Sequence, residues 1–239
     1  MSSANMRGEK SGRLGIGIIG AGRVGPVLGA ALAHAGHAII GISAISEEGR
    51  ERAEAILPGV PLLSVGEIVE RSELVILAIP SSEIESLVGG LTTLGAWQPG
   101  QLVMHTAPEF GTGVFSAALA RGVIPLALHP AISFTGTTLD LARLAEGYCV
   151  VTAPAPVLPI AQALAVEMGA EPIVVAEGDR PAYASALDSA TAMATTVVRK
   201  SLEELSAIGI QHPGNLLGTA LHAAVDRAVR SDPNAMGAP

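Results

Sequence analysis

The sequence holds a single cysteine, Cys149, in 239 residues, so an internal disulfide is excluded and a reducing, cytoplasmic setting is expected. Basic residues are scarce: 14 lysines and arginines face 22 aspartates and glutamates, a formal net charge of -8. Without a basic cluster there is no electrostatic footprint for nucleic acid or for an anionic membrane surface. No apolar run approaches the ~18 residues of a membrane-spanning helix, because "LVILAIP" stops at Pro80. The first twelve residues lack the apolar stretch of a secretion signal and read as a tail. No two histidines stand four apart, and no cysteine or carboxylate group has ligand spacing, so no metal site is expected. The serine-hydrolase elbow G-x-S-x-G is missing as well.

Apolar residues, by contrast, make up 49% of the chain, enough for a substantial core. Short β-rich runs at 14–19, 38–43, 74–79, 101–105, 123–128, 148–152 and 172–175 alternate with amphipathic segments at 24–35, 47–56, 64–71, 82–94 and 157–168. Strands that are apolar at nearly every position, joined by helices, describe a parallel sheet covered on both faces. The expected fold is therefore α/β: a doubly wound, mostly parallel sheet over 13–177, followed by a short helical domain over 178–239. From Pro181 to Ile208 the chain has no glycine or further proline, which predicts one long helix with Asp179 and Pro181 at its start. A second helix is expected over 216–230. Two helices cannot enclose a core alone, so a homodimer through them is expected.

The opening strand runs directly into Gly20-Ala21-Gly22-Arg23-Val24-Gly25. In a dinucleotide fold the first glycine makes the tight turn, the second admits the pyrophosphate to the backbone, and the third lets helix and strand approach. The alternative is a purely structural corner. The second strand ends "GISAIS" with no acid to hold a ribose 2′-hydroxyl; Ser43 and Ser46, with Arg50 and Arg52 following within two turns, would suit a 2′-phosphate instead, Ser43 and Arg50 foremost. NADP is therefore favoured, with NAD as the alternative, although Arg50 and Arg52 also stand among four glutamates as ordinary helix charges would.

Ligands of open parallel sheets bind at the carboxyl ends of the strands. Those ends read "AIPSSEI" (Ile79, Pro80, Ser81), "MHTAPEFG" (His105, Thr106) and "LHPAISFTG" (His129, Ser133, Thr135). His105 and His129 could exchange a proton near neutral pH, or simply cap strand backbone. Asp188, with Thr191 and Thr195, shares one face of the long helix, facing either a substrate cleft or solvent and a partner copy. Cys149 reads as a buried small hydrophobe.

With these motifs in hand, the chain resembles the Rossmann-like oxidoreductases of the 6-phosphogluconate dehydrogenase type, in particular the bacterial group that carries a C-terminal helical domain of unknown function. The resemblance covers about 14–208 and implies NADP binding, dimerisation through the helical halves, and relatives that reduce 2-oxo acids such as ketopantoate. The chain departs from that pattern where the long helix usually opens Tyr-His-Ala-Ala; here it reads Tyr183-Ala184-Ser185-Ala186. It also ends where relatives continue with further helix, and the lysine of the wider β-hydroxyacid dehydrogenase group has no counterpart near the start of the helix.

Together these readings describe an NADP-dependent oxidoreductase acting on a small carbonyl or hydroxy acid. Gly20, Ala21, Gly22, Arg23, Val24, Gly25, Ser43, Arg50, Ile79, Pro80, Ser81 and Thr106 would serve the cofactor. His129 or His105 would be the proton donor, and Ser133, Thr135 and Asp188 would meet the substrate. The competing expectations are a nucleotide-binding module without turnover and, more weakly, a methyltransferase.

Overall fold

The computed structural model describes residues 13–231; the readings of the first twelve residues and of the tail beyond Ser231 lie outside them. Strands β1 (Gly15–Ile19), β2 (Ala38–Ser43), β3 (Leu74–Leu77), β4 (Leu102–His105), β5 (Ile124–Pro130), β6 (Tyr148–Thr152) and β7 (Glu171–Val174) form one sheet, ordered β2-β1-β3-β4-β5-β6-β7. The first five are parallel. Every residue of β3 is fully buried, and its side chains alternate between two cores, Leu74 and Ile76 on one face and Val75 and Leu77 on the other. That burial on both faces is why the strand reads as a continuous apolar run.

Helices α1 (Gly25–His34), α2 (Glu47–Ile56), α3 (Val65–Arg71), α4 (Ser81–Thr93) and α7 (Leu158–Glu167) connect the strands as expected. Their starts follow local chemistry. Pro26 opens α1, the Ser46 hydroxyl accepts from the Gly49 amide at the head of α2, and Ser64 and Glu67 form a reciprocal capping box on α3. Two short helices, α5 (Ser116–Leu119) and α6 (Leu139–Ala145), were not foreseen, being too brief to show a helical period.

The single antiparallel pairing among the described residues, β5 with β6, sets up the site. After β5 the chain does not cross back over the sheet; it turns through α6 and re-enters as β6 against the grain. The register brings His105, Ala127 and Thr152 into one row across β4, β5 and β6. The end of β6 is thus level with the carboxyl end of β4, with β5 between them, at the edge of the sheet where ligands of such folds bind.

The chain divides into two compact units, 1–184 and 185–239. The division falls inside α8 (Arg180–Ala207), beyond the expected boundary at 177, because Arg180 and Ala184 are buried with the sheet. The second unit comprises the rest of α8 and α9 (Pro213–Arg230), which starts three residues earlier than expected because Pro213 occupies the first turn.

Candidate functional site

The turn after β1 carries three glycines with three different causes. Gly20 has φ +110, and a Cβ there would overlap the Ala78 carbonyl. At Gly25 a Cβ would run into the Gly20 carbonyl oxygen. Both are glycine because the fold requires it. Gly22 differs: a Cβ there would meet nothing within 4 Å. Its backbone is exposed and borders a cavity of about 900 Å³, lined also by Gly20, Ala21, Ser43, Ser46, Arg52, Ser64, Ile79 and Pro80. Space reserved in front of an exposed main chain, at the head of α1, suits an anion held by amides and the helix dipole. The donor set therefore fits a dinucleotide.

Ser43 accepts a hydrogen bond from the Gly20 amide (3.2 Å) and so ties the end of β2 to the turn. Arg50, expected at this rim, is absent from the lining. It lies over a separate depression with Glu47, Glu51 and Glu54 and pairs with Glu47. Arg52 takes its place: its guanidinium donates to the Ala21 carbonyl (3.2 Å), pairs with Glu48, and borders the large cavity. Ser81 is likewise outside the lining, whereas Ser82 and Ser86 of the same helix are in it.

A second cavity, about 320 Å³, is lined by Arg23, Val24, Thr106, Pro108, His129, Pro130, Ile132 and Phe134. The loop after β4, which supplies Thr106 and Pro108 to that lining, is pinned three ways. The ring of His105 accepts from the Ala107 amide (3.1 Å) and donates to the Gly111 carbonyl (2.8 Å). The Glu177 carboxylate takes the Thr112 and Gly113 amides (2.7 and 2.8 Å). Arg180 donates to the Pro108 carbonyl (3.4 Å).

His129 is half-buried, and its Nδ1 lies 2.8 Å from the hydroxyl of Tyr183. Beneath the pair, fully buried Arg180 donates to the Thr152 hydroxyl (2.8 Å) and to the Ala127 (2.7 Å) and Val150 (3.3 Å) carbonyls. Burial first, and then the Arg180 charge, push His129 down to about 4. It is a neutral imidazole at pH 7.

The remaining expected residues lie outside the small cavity's lining. His105 is fully buried with both ring nitrogens committed, so it is a loop pin and has no nitrogen left for a proton transfer. The hydroxyl and amide of Thr135 are both taken by buried Asp140 (2.9 and 2.8 Å), which makes Thr135 a loop fastener. Burial opposes ionisation of Asp140, but the Gly136 and Thr135 hydrogen bonds outweigh it and hold its pKa low. Ser133 is exposed between Ile132 and Phe134. Asp188 is exposed and belongs to the second unit. Burial pushes the Cys149 thiol up to about 12, which leaves no nucleophile near neutral pH.

Tyr183 and Arg180 were given no role from sequence. Arg180 carried a signal, because a cation in the first turn of a helix opposes the dipole and needs a reason. The carbonyl acceptors around it are that reason.

Residues 1–130 match the family described as a Rossmann-like domain. The chain belongs to the Rossmann-like family. Residues 147–239 match a domain of unknown function, DUF2520, and no curated protein matches the sequence. Several solved structures share the fold of this Rossmann-like chain. A Bacteroides fragilis protein provisionally named as an NADP oxidoreductase is 16% identical with a TM-score of 0.75, covering 95% of this chain and 85% of its own. Pyrroline-5-carboxylate reductase from Coxiella burnetii is 15% identical (TM-score 0.64; 92% and 82% covered). An imine reductase variant from Myxococcus stipitatus, in complex with NAD+, is 19% identical (TM-score 0.65; 92% and 75% covered).

The two strand-end histidines give this Rossmann-like protein a specific acid sensitivity. Burial holds both near pKa 4, against 6.5 for a free imidazole. Between those values the unfolded chain binds more protons than the folded one. Their contribution to stability is thus complete above pH 6.5 and is lost as pH falls through about 4. Melting temperatures measured from about pH 7 to about pH 4 should fall, and the fall should be shallower in His105→Gln.

Proposed function

We propose that the chain is an NADP-dependent oxidoreductase acting on a small carbonyl or hydroxy-acid substrate. One observation carries the reading: a single turn serves both cavities, Gly22 bordering the large one and Arg23 and Val24 the small one that holds His129. Gly20, Ala21, Gly22 and the first amides of α1 would hold the pyrophosphate. Ser43, Ser46 and Arg52 would take the phosphorylated ribose, and Thr106 would stand at the nicotinamide end. When bound, the cofactor supplies or accepts a hydride.

The chain's own residues supply the rest. His129, neutral and facing the small cavity, donates a proton to the substrate oxygen as charge develops there. Arg23, exposed and without a protein partner among the described residues, offers a cation for a substrate carboxylate. Ile132, Phe134 and Pro108 give that cavity apolar walls that exclude water. No carboxylate lines it, which favours an anionic 2-oxo acid over an iminium ion. NADPH oxidation across a panel of 2-oxo acids and cyclic imines tests this reading. Turnover is expected with the acids, reduced by about 10²–10⁴-fold in His129→Gln. Tight NADPH binding without turnover on any of them would instead favour a nucleotide-binding module, to which the commitment of His105 and Thr135 to loop contacts also lends support.

Arg52 bears the choice of nucleotide. In Arg52→Gln the NADPH affinity should weaken about tenfold or more while NADH affinity stays within about twofold, as loss of one phosphate contact predicts. Equal affinities for NADPH and NADH in the unaltered protein would overturn the NADP assignment. A homodimer is proposed on separate grounds: Met193, Val197, Leu216, Val225 and Val229 of the helical unit are each more than half exposed, apolar surface of the kind a second copy covers.

A further inference from the structure

We propose that Tyr183 is the positioning residue behind His129: its hydroxyl fixes the imidazole with the proton on Nε2, and it resupplies Nδ1 when that proton leaves for the substrate. The inference deepens the reading of His129 as proton donor and rests on it.

The geometry sets the direction of the bond. Tyr183 Oη and His129 Nδ1 are 2.8 Å apart, with the rings edge to face at 71°. A phenol is a far better donor than a neutral imidazole N–H, and an imidazole nitrogen is a far better acceptor than a phenol oxygen. The hydroxyl therefore donates to Nδ1. A neutral imidazole has one proton, so it resides on Nε2. No protein group lies within hydrogen-bond distance of Nε2 among the described residues.

The surroundings favour the same state. Of the charged and titratable groups around the ring, Arg180 and His105 oppose a second proton and Glu109 favours one, while burial, the largest influence, opposes it. Burial also resists ionisation of Tyr183, and the Arg180 guanidinium counters it.

The proton inventory closes. As the substrate carbon accepts the hydride that the proposed redox reaction delivers, the C=O π pair passes to oxygen, that oxygen takes the Nε2 proton, and the N–H pair stays on the ring. Nδ1 takes the phenol proton, leaving a phenolate beside Arg180. Water then returns one proton to Nε2 as Nδ1 gives its own back to Tyr183, and both groups are restored.

The tautomer can be read without nucleotide or substrate. In protein labelled with ¹⁵N-histidine, the His129 signals are those absent from His129→Gln. They should report a proton on Nε2 alone, and Tyr183→Phe, which keeps the ring and removes the hydroxyl, should populate both tautomers. A proton on Nδ1 in the unaltered protein, or an unchanged tautomer in Tyr183→Phe, overturns the proposal, and the first of these needs no variant to fold. In turnover, Tyr183→Phe should lower kcat by roughly tenfold or more with KM little changed, less than the loss of the acid itself. Failure of the redox reading would show separately, as absent NADPH oxidation with the tautomer as described.

Discussion

Gly22→Val is expected to abolish NADPH binding while leaving the melting temperature of the protein unchanged. The protein itself gives no reason for glycine here, since a side chain at Gly22 would project into open space. Valine would fill that space in front of the amides and exclude the pyrophosphate. Affinity should fall by at least about 100-fold, roughly 2.7 kcal/mol. Gly25→Ala gives the opposite pattern, because its Cβ collides with the Gly20 carbonyl oxygen. It should cost on the order of 3 kcal/mol of stability. Fluorescence titration and thermal melting of the two variants separate a ligand-shaped glycine from a fold-shaped one. Normal NADPH binding by Gly22→Val would refute the role assigned to the turn.

Arg180→Met should be the most destabilising change at the site. It removes a fully buried guanidinium and takes a donor from the Ala127 and Val150 carbonyls at the β5–β6 pairing, while the Thr152 hydroxyl keeps its bond to the Val175 carbonyl (2.6 Å). Buried polar groups left without partners cost about 1–3 kcal/mol each, so a total loss of about 3–5 kcal/mol in urea unfolding is expected. The same variant tests the electrostatics. Without the Arg180 charge His129 should titrate above about 4, yet below 6.5, because burial, the larger cause, remains. An unchanged His129 titration would show that the guanidinium does not act on the ring.

These residues also show how far the sequence could be read. Alternating apolar runs and helices revealed the sheet, and the three glycines after β1 marked the turn that borders the large cavity, because both follow from neighbours close along the chain. The choice between Arg50 and Arg52 was readable in principle. Residues two apart lie about 200° round a helix, and the buried stripe of α2, Gly49, Ala53 and Ile56, runs on the side of Arg52. The hold of Asp140 on Thr135, five residues back, is not legible in sequence because it exists only once the loop has closed. His105 looked like His129 in sequence; what separates them is that the loop after β4 folds back to occupy both nitrogens of His105. The Tyr183–His129 pair spans 54 residues, and it is created by the antiparallel entry of β6, which no local period announces.

The central claim is that the main chain from Gly20 to Gly25 grips a dinucleotide. Backbone amide NMR during a titration with NADPH tests it most directly. The account predicts saturable shifts that are largest at Gly22, Arg23 and Val24, extend to Ser43 and Arg52, and vanish in Gly22→Val. Shifts that never saturate, or that leave this turn unmoved while others change, would contradict it.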